Sequence, residues 1–158
     1  MQKSREEWMK QAIDLAIESV RAGRGGPFGA LVVKDGEMIS TGVNLVTAGN
    51  DPTAHAEIVA IRGACRALRS FHLEGCELYA SCEPCPMCLG AIYWARLTAY
   101  YFASPRSAAA EAGFDDAFIS EQLKLPAERR AIPGRHLSLE NASEPFLKWA
   151  RSNQKLRY

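Results

Sequence analysis

The sequence has no hydrophobic run that approaches the roughly 20 residues a membrane-spanning helix needs, so we expect no transmembrane helix. It also lacks an excess of charge of either sign: 19 Lys and Arg stand against 18 Asp and Glu, a formal net charge of +1. Proteins that bind phosphates of nucleic acids usually have a clearer basic excess, so a nucleic-acid partner is not expected. Repeats and low-complexity tracts are absent too, and the 158 residues predict a single domain over residues 1–158.

The first seven residues, MQKSREE, are polar and charged and have no apolar core behind them. They therefore do not resemble a secretory signal peptide, and we expect the protein to work in the cytoplasm, where disulfides are rare. Five cysteines are present, and Cys82, Cys85 and Cys88 lie within seven residues of one another. In a reducing compartment such a cluster predicts metal binding or catalysis before cross-links.

Hydrophobic periodicity predicts strands that alternate with helices. The expected strands are 28–33, 38–43, 77–80, 99–103 and 136–139. The first expected helix begins at a capping box at Ser4 and stops at Gly23, and the second begins at Pro52, with Asp51 as its N-cap, and runs to about Leu68. The other expected helices span 86–94, 107–122 with a break at Gly113, and 144–155. Strands separated by helices indicate a layered α/β fold, with a hairpin at one end of the sheet.

Two segments near predicted helix starts contain candidate metal ligands. The first includes His55, and the second is the run Pro84 to Cys88. Cys85 and Cys88 are three residues apart, so one helical turn brings both sulfurs to the same side. One neutral histidine and two thiolates balance the charge of Zn²⁺ and leave a fourth position for water, as a catalytic zinc site requires. We predict one zinc ion per chain, bound by His55, Cys85 and Cys88.

Glu57 follows His55 by two residues, which is about 200° around an ideal helix. From the middle of a helix the two side chains could not face one ion. The spacing therefore predicts that the pair lies in an irregular first turn, where Glu57 reaches the metal's water and not the ion. A carboxylate in that position can take and return a proton.

A closed structural site is the alternative interpretation of the same cysteines. Cys82 could serve as a fourth ligand beside His55, Cys85 and Cys88, which would make a non-catalytic zinc module used for contacts with other molecules. Cys82 lies at the end of a predicted strand, before the helical turn, and this position favours the three-ligand site.

A histidine-x-glutamate pair followed about 30 residues later by proline-cysteine-x-x-cysteine is typical of zinc-dependent base deaminases. From Pro27 onward the sequence resembles the cytidine-deaminase-like superfamily and, within it, the small bacterial guanine deaminases. The segments that carry the resemblance are PFGA at 27–30, GVN at 42–44, HAE at 55–57 and SCEPCPMCLGAIYWAR at 81–96. EAGFDD at 111–116 and the terminal Tyr158 favour guanine over cytosine or tRNA adenosine.

This resemblance implies a three-layer α/β/α sandwich around a five-stranded mixed sheet. It implies that Glu57 is the catalytic proton shuttle and that Asn44 hydrogen-bonds the base. Guanine presents N1–H and 2-amino donors, so its pocket needs an acceptor, and Asp116 is expected to bind that edge and to help protonate the departing amine. The other residues expected to contact the base are Phe28, Ala56, Trp94 and Tyr158.

The resemblance further implies a homodimer in which a C-terminal segment, about 140–158, is exchanged between subunits. Asp116 and Tyr158 would then complete the neighbouring site. The expected reaction is hydrolysis of a small purine base, guanine, to xanthine and ammonia. The same zinc chemistry on tRNA adenosine or on cytosine stays open as the alternative.

Overall fold

The computed structural model describes residues 3–114 and 116–158, which divide into two compact units, Met1–Ala117 and Phe118–Tyr158. In chain order the first unit contains α1 (Arg5–Arg21), β1 (Gly29–Lys34), β2 (Glu37–Val43), α2 (Val46–Gly49), α3 (Ala56–Leu68), β3 (Cys76–Cys82), α4 (Pro86–Trp94), β4 (Ala99–Ser104) and α5 (Arg106–Glu111). The predicted capping box is present: Ser4 Oγ accepts from the backbone of Glu7, and Glu7 accepts from the backbone of Ser4. It gives α1 a defined start because it satisfies two backbone donors at once.

The four strands form one mixed sheet in the order β2-β1-β3-β4. β1 pairs antiparallel with β2 and with β3, and β3 pairs parallel with β4. Asp35 and Gly36 connect β1 to β2 with φ values of 50° and 77°. Positive φ at both positions is what a two-residue hairpin turn needs to match the twist of its strands.

The prediction of five strands is wrong for the part of the chain that the structure describes, because the sheet there has four. Residues 136–139, expected as the last strand, belong to the second unit and are not in a strand. The reason is physical: a strand exists only where a neighbour satisfies its backbone groups, and the second unit contains no sheet.

Helices cover both faces of this sheet, because alternate residues of β1 point in opposite directions. Leu31 and Val33 pack with Trp8 and Ala12 of α1. On the other face, the core is formed by residues of the sheet, α3 and α4: Ala30, Val32, Ala56, Ala60, Leu78, Ala80 and Ile92. The first unit is therefore an α/β fold with a helix layer on each side of the sheet.

Close packing fixes α3 on β2. A Cβ atom at Gly42 would overlap the carbonyl oxygen of Ala56 and would lie 2.6 Å from the backbone nitrogen of Ala60. Two residues away, Ser40 Oγ donates to the carbonyl of Ala60 at 2.7 Å. The start of α3 thus has a set position against the sheet.

The second unit begins within α6 (Ala117–Leu123) and continues through a short 3₁₀ helix (Ala127–Arg129) to α7 (Glu144–Arg151). The break at Gly113 between α5 and α6 confirms the prediction, whereas α7 ends four residues before its predicted end. Every residue from 131 through 151 is exposed, including Phe146 at 75%. No helix in the described ranges combines the length and apolar character needed to cross a bilayer.

We expect Gly42→Ala to destabilise the fold by about 1–3 kcal/mol, since a methyl group must be forced between β2 and α3. Gly49→Ala is the matched control, because nothing lies within 4 Å of its Cβ position. Urea unfolding of both variants measures the change. An unfolding midpoint for Gly42→Ala equal to that of Gly49→Ala would contradict the close packing.

Candidate active site

His55 occupies the N-cap of α3, with extended backbone angles of −68° and 156°. The helix begins four residues later than predicted, because Asp51 is not its cap. Instead, Asp51 Oδ1 accepts from the backbone nitrogen and the hydroxyl of Thr53, at 2.8 and 2.7 Å, in a separate turn. An extended cap followed by helical Glu57 removes the angular conflict that regular helical spacing imposes on the two side chains.

Cys85 occupies the N-cap of α4, and Pro86 follows in the first turn, where its missing N–H is not needed. The Cys85 sulfur accepts from the backbone nitrogen of Cys88 at 3.5 Å. His55 Nδ1 lies 3.6 Å from the sulfur of Cys85 and 3.6 Å from that of Cys88. The ligand atoms of the three residues all lie within 4.8 Å of one another.

These distances fit a tetrahedral zinc ion. With Zn–S near 2.3 Å and Zn–N near 2.1 Å, a tetrahedron separates nitrogen from sulfur by about 3.6 Å. His55, Cys85 and Cys88 could therefore hold one ion and leave one coordination position to solvent or substrate. Cys82 is not part of this group, and its sulfur lies 3.8 Å from the carbonyl oxygen of Pro105.

The charge distribution at the group favours a bound cation. Hydrogen bonds from the thiol of Cys88, from His55 and from the backbone of Cys88 lower the pKa of Cys85 to about 4, against burial. Contact with Cys85 raises the pKa of His55, and the charges of Glu57 and Asp116 add to this effect. Both carboxylates therefore lie near the metal ligands.

Glu57 lies in the first turn of α3 and is 8% exposed. Burial raises the pKa of its carboxyl group, against hydrogen bonds from its own backbone and from Cys88 that lower it. A buried carboxyl group beside the metal group is suited to accept and return a proton.

Asn44 follows β2 and is 7% exposed. Its Oδ1 accepts from the backbone nitrogens of Gly26 and Val46, at 3.4 and 3.2 Å. The oxygen end is thereby committed to the protein, so the amino group is the end that can donate to a ligand. A Cβ at Gly25 would collide with the backbone carbonyl of Asn44, so only glycine allows this loop to approach so closely.

Phe28 and Asp116 come from two other loops of the first unit. The Phe28 ring packs edge-on against Phe114, with ring centroids 5.0 Å apart. Asp116 Oδ1 lies 3.3 Å from Arg106 Nε, and the Asp116 side chain is 17% exposed. This partnership of Asp116 with Arg106 is a feature that the sequence patterns did not predict. The available signal is an arginine at the first position of a helix, where the helix dipole disfavours positive charge.

The other residues predicted to contact the base, Ala56, Trp94 and Tyr158, lie in three different parts of the chain. Ala56 is 1% exposed and is the first residue of α3, next to His55. Trp94 ends α4 six residues after Cys88, which is about 9 Å along the helix axis, and does not join the metal group. Tyr158 is the last residue of the second unit and is 69% exposed.

The profile of the cytidine and deoxycytidylate deaminase zinc-binding region matches residues 2–104. The chain belongs to this deaminase family. The family's zinc-binding region contains His55, Cys85 and Cys88, the same three residues whose ligand atoms meet in the structure.

Individual relatives within the family extend the similarity to the whole chain. Guanine deaminase of Bacillus subtilis (strain 168) is 54% identical over 153 residues, which are 97% of this chain and 98% of that protein. Its X-ray structure superposes with a TM-score of 0.97, covers 99% of both chains and is 52% identical. A tRNA-specific adenosine deaminase of Aquifex aeolicus (strain VF5) is 38% identical and covers 94% of this chain and 97% of its own length.

A solved guanine deaminase of Nitrosomonas europaea is 33% identical, with a TM-score of 0.68, and covers 72% of this chain and 65% of that chain. A structure determined with 2,6-diaminopurine bound is also similar, at 34% identity and a TM-score of 0.68 over 72% of this chain and 63% of that chain.

Removal of a ligand sulfur tests the three-residue group. We expect Cys88→Ala to lose bound zinc, and we expect the control Cys82→Ala to keep one zinc ion per chain, because Cys82 lies outside the group. Zinc-to-protein ratios from elemental analysis after gel filtration give the answer, with circular dichroism to check folding. Loss of zinc from Cys82→Ala would favour a closed four-ligand site instead.

Proposed function

We propose that this chain is a zinc-dependent hydrolase that converts guanine and water to xanthine and ammonia. The observation that supports it most directly is the three-ligand group with buried Glu57 beside it. A structural zinc site needs four protein ligands and no buried carboxyl group, whereas a hydrolytic site needs an open position and a proton carrier. Similarity to guanine deaminases over nearly the whole chain supports the choice of substrate.

His55, Cys85 and Cys88 would hold the zinc ion. When bound, zinc supplies Lewis-acid chemistry that makes water a nucleophile near neutral pH. Glu57 accepts the proton that water loses on attack at C2 of the base. It passes that proton to a ring nitrogen. It then takes the second proton from the hydroxyl group now on C2 and passes it to the amine, which departs as ammonia while C2 becomes a carbonyl carbon. The raised pKa of the buried carboxyl group suits both transfers.

The base would be held in place by groups from separate loops. Asn44 donates its amide N–H to an acceptor on the purine ring, because its oxygen is already bonded to Gly26 and Val46. The carboxylate of Asp116 accepts from the N1–H and 2-amino donors of guanine and assists the departing amine. Phe28 lines the ring face, Ala56 contributes its backbone, and Trp94 and Tyr158 contribute aromatic surface.

We also propose that the protein is a homodimer that exchanges its C-terminal segment, about 140–158. Apolar side chains of the second unit are exposed to solvent, among them Leu137, Phe146 and Leu156 at 78%, 75% and 68%. Exposed apolar surface of this extent is typical of surfaces that a partner covers. β4 also presents an unpaired edge in the described sheet, and such an edge offers backbone hydrogen-bonding groups to a partner's segment.

None of the five cysteines forms a disulfide in the described structure. Cys85 and Cys88 must also be reduced if they are to bind zinc together with His55. This supports the proposal that the enzyme works in a reducing compartment such as the cytoplasm.

A different base is the second candidate, favoured by the 38% identity to a tRNA-specific adenosine deaminase over 94% of this chain. An enzyme that acts on tRNA requires phosphate contacts, and its affinity falls steeply with salt. A net charge of +1 offers little for such contacts. Guanine therefore stays the preferred substrate.

The Glu57→Gln variant tests the reaction. We expect it to keep one zinc ion per chain and to lose on the order of 10²–10⁴ in turnover, because glutamine cannot transfer the proton. Ammonia release is measured from guanine, cytosine, adenine and a tRNA anticodon stem-loop, for the wild type and the variant. If the wild-type protein releases ammonia from the stem-loop but not from guanine, guanine is not the substrate and tRNA adenosine takes its place.

Exchange between subunits is tested by complementation. Glu57→Gln and a chain that lacks Tyr158 are each expected to be inactive on guanine. If Tyr158 acts in the partner's site, co-refolding the two restores about a quarter of the wild-type sites, since half of the dimers are mixed and each contains one intact site. If Tyr158 acts within its own chain, no mixed dimer has an intact site, and the mixture stays inactive.

A further inference from the structure

Arg106 connects two segments of the first unit that are distant in sequence. Its Nη2 donates to the carbonyl oxygen of Pro84 at 3.2 Å and lies 3.5 Å from Glu83 Oε1, and its backbone nitrogen donates to Glu83 Oε2 at 3.1 Å. Its Nε lies 3.3 Å from Asp116 Oδ1. Residues 83–85, between β3 and α4, form the metal-binding loop. One guanidinium thus contacts both this metal-binding loop and the carboxylate of Asp116.

The backbone brings these groups together. Arg106 is the first residue of α5, which ends at Glu111 and is followed by the C-cap Ala112 and by Gly113, which has φ of 91°. Gly113 N donates to the carbonyl of Ala110, and Phe114 N donates to that of Ala109, both at 2.9 Å. This pair of bonds is a Schellman motif, which reverses the chain at the helix end. The reversal returns Asp116 to the start of the helix, where Arg106 lies.

Burial distinguishes the contacts of Arg106 from those of the other ion pairs. The Arg106 side chain is 28% exposed, and those of Glu83 and Asp116 are 35% and 17% exposed. In the other ion pairs among the described residues, at least one partner is more than half exposed. Ion pairs between exposed side chains contribute little to stability. A partly buried guanidinium, in contrast, has a planar set of donors that can hold two partners in a fixed geometry.

We propose that Arg106 is a positioning residue, which holds the carboxylate of Asp116 at a fixed distance from the metal-binding loop so that Asp116 meets the donor edge of the base. The inference rests on the proposed function, because it concerns how Asp116 receives guanine. It predicts that Arg106 acts on the reaction only through Asp116. Misplacement of a recognition group by about 1 Å is enough to cost on the order of 100-fold in rate.

A double-mutant cycle tests this dependence. Arg106→Gln is expected to lower kcat/KM for guanine by about 10- to 100-fold, with one zinc ion per chain retained. In the Asp116→Asn background the same change is expected to have less than about a twofold effect, because the group it positions is already lost. Arg106→Lys is expected to recover only part of the activity, since an ammonium group cannot reproduce the fork.

Arg62→Gln is the matched control, because Arg62 also pairs with an aspartate, Asp51, at 3.6 Å, on a different element. Its kcat/KM is expected to stay within about twofold of the wild type. An Arg106→Gln variant as active as Arg62→Gln would overturn the inference, as would independent losses in the double variant or loss of zinc. If Arg106→Gln does not fold, Arg106→Lys takes its place in the cycle, with a smaller expected loss in kcat/KM that must still disappear in the Asp116→Asn background. Wild-type protein that does not deaminate guanine would overturn the proposed function itself, before any variant is compared.

Discussion

The N-termini of two helices, α3 and α4, lie close together in this protein, and the rest of the site depends on their proximity. His55 and Cys85 are the N-caps of α3 and α4, and His55 Nδ1 lies 3.6 Å from the Cys85 sulfur. A cap has extended backbone and is followed at once by helical residues, so side chains close in sequence can converge on one spot. The positive ends of two helix dipoles also favour the thiolates and the carboxylate gathered there.

The position of α3 on the sheet keeps His55 close to the sulfurs of Cys85 and Cys88. The close approach at Gly42 and the bond from Ser40 to Ala60 hold the helix against β2. A shift of the helix would move His55 away from both sulfurs, and the distances that suit a tetrahedral ion would be lost. Close packing of α3 against β2 is therefore a condition for metal binding.

Several groups that can carry negative charge lie around the metal group, and positive charge is needed to balance them. Hydrogen bonds from Cys88 and His55 lower the pKa of Cys85, Glu57 is buried, and the charge of Asp116 contributes to the raised pKa of His55. A divalent cation is the natural partner of such a set, so metal binding and folding are expected to support each other. Arg106 supplies positive charge at the other side of Asp116.

Loops at one end of the sheet contribute most of the remaining site. Asn44 follows β2, the metal-binding loop follows β3, and Phe28 precedes the antiparallel β1. Crevices outside the carboxyl ends of strands are where α/β sheets commonly bind ligands, because the loops there are free to vary over a fixed scaffold. The purine site proposed here has that arrangement.

The sequence by itself determined the order of the four strands and of the helices α1, α3, α4 and α5, the capping box and the two segments that contain the metal ligands, whereas it did not indicate the short helix α2. These follow from local properties: hydrophobic period, turn chemistry and ligand spacing. Tertiary structure decided the start of α3, since the competition between Asp51 and His55 for the cap depends on where the sheet holds the helix. It also decided the partnership of Arg106 with Asp116 and the number of strands, because both depend on residues that meet only after the chain has folded.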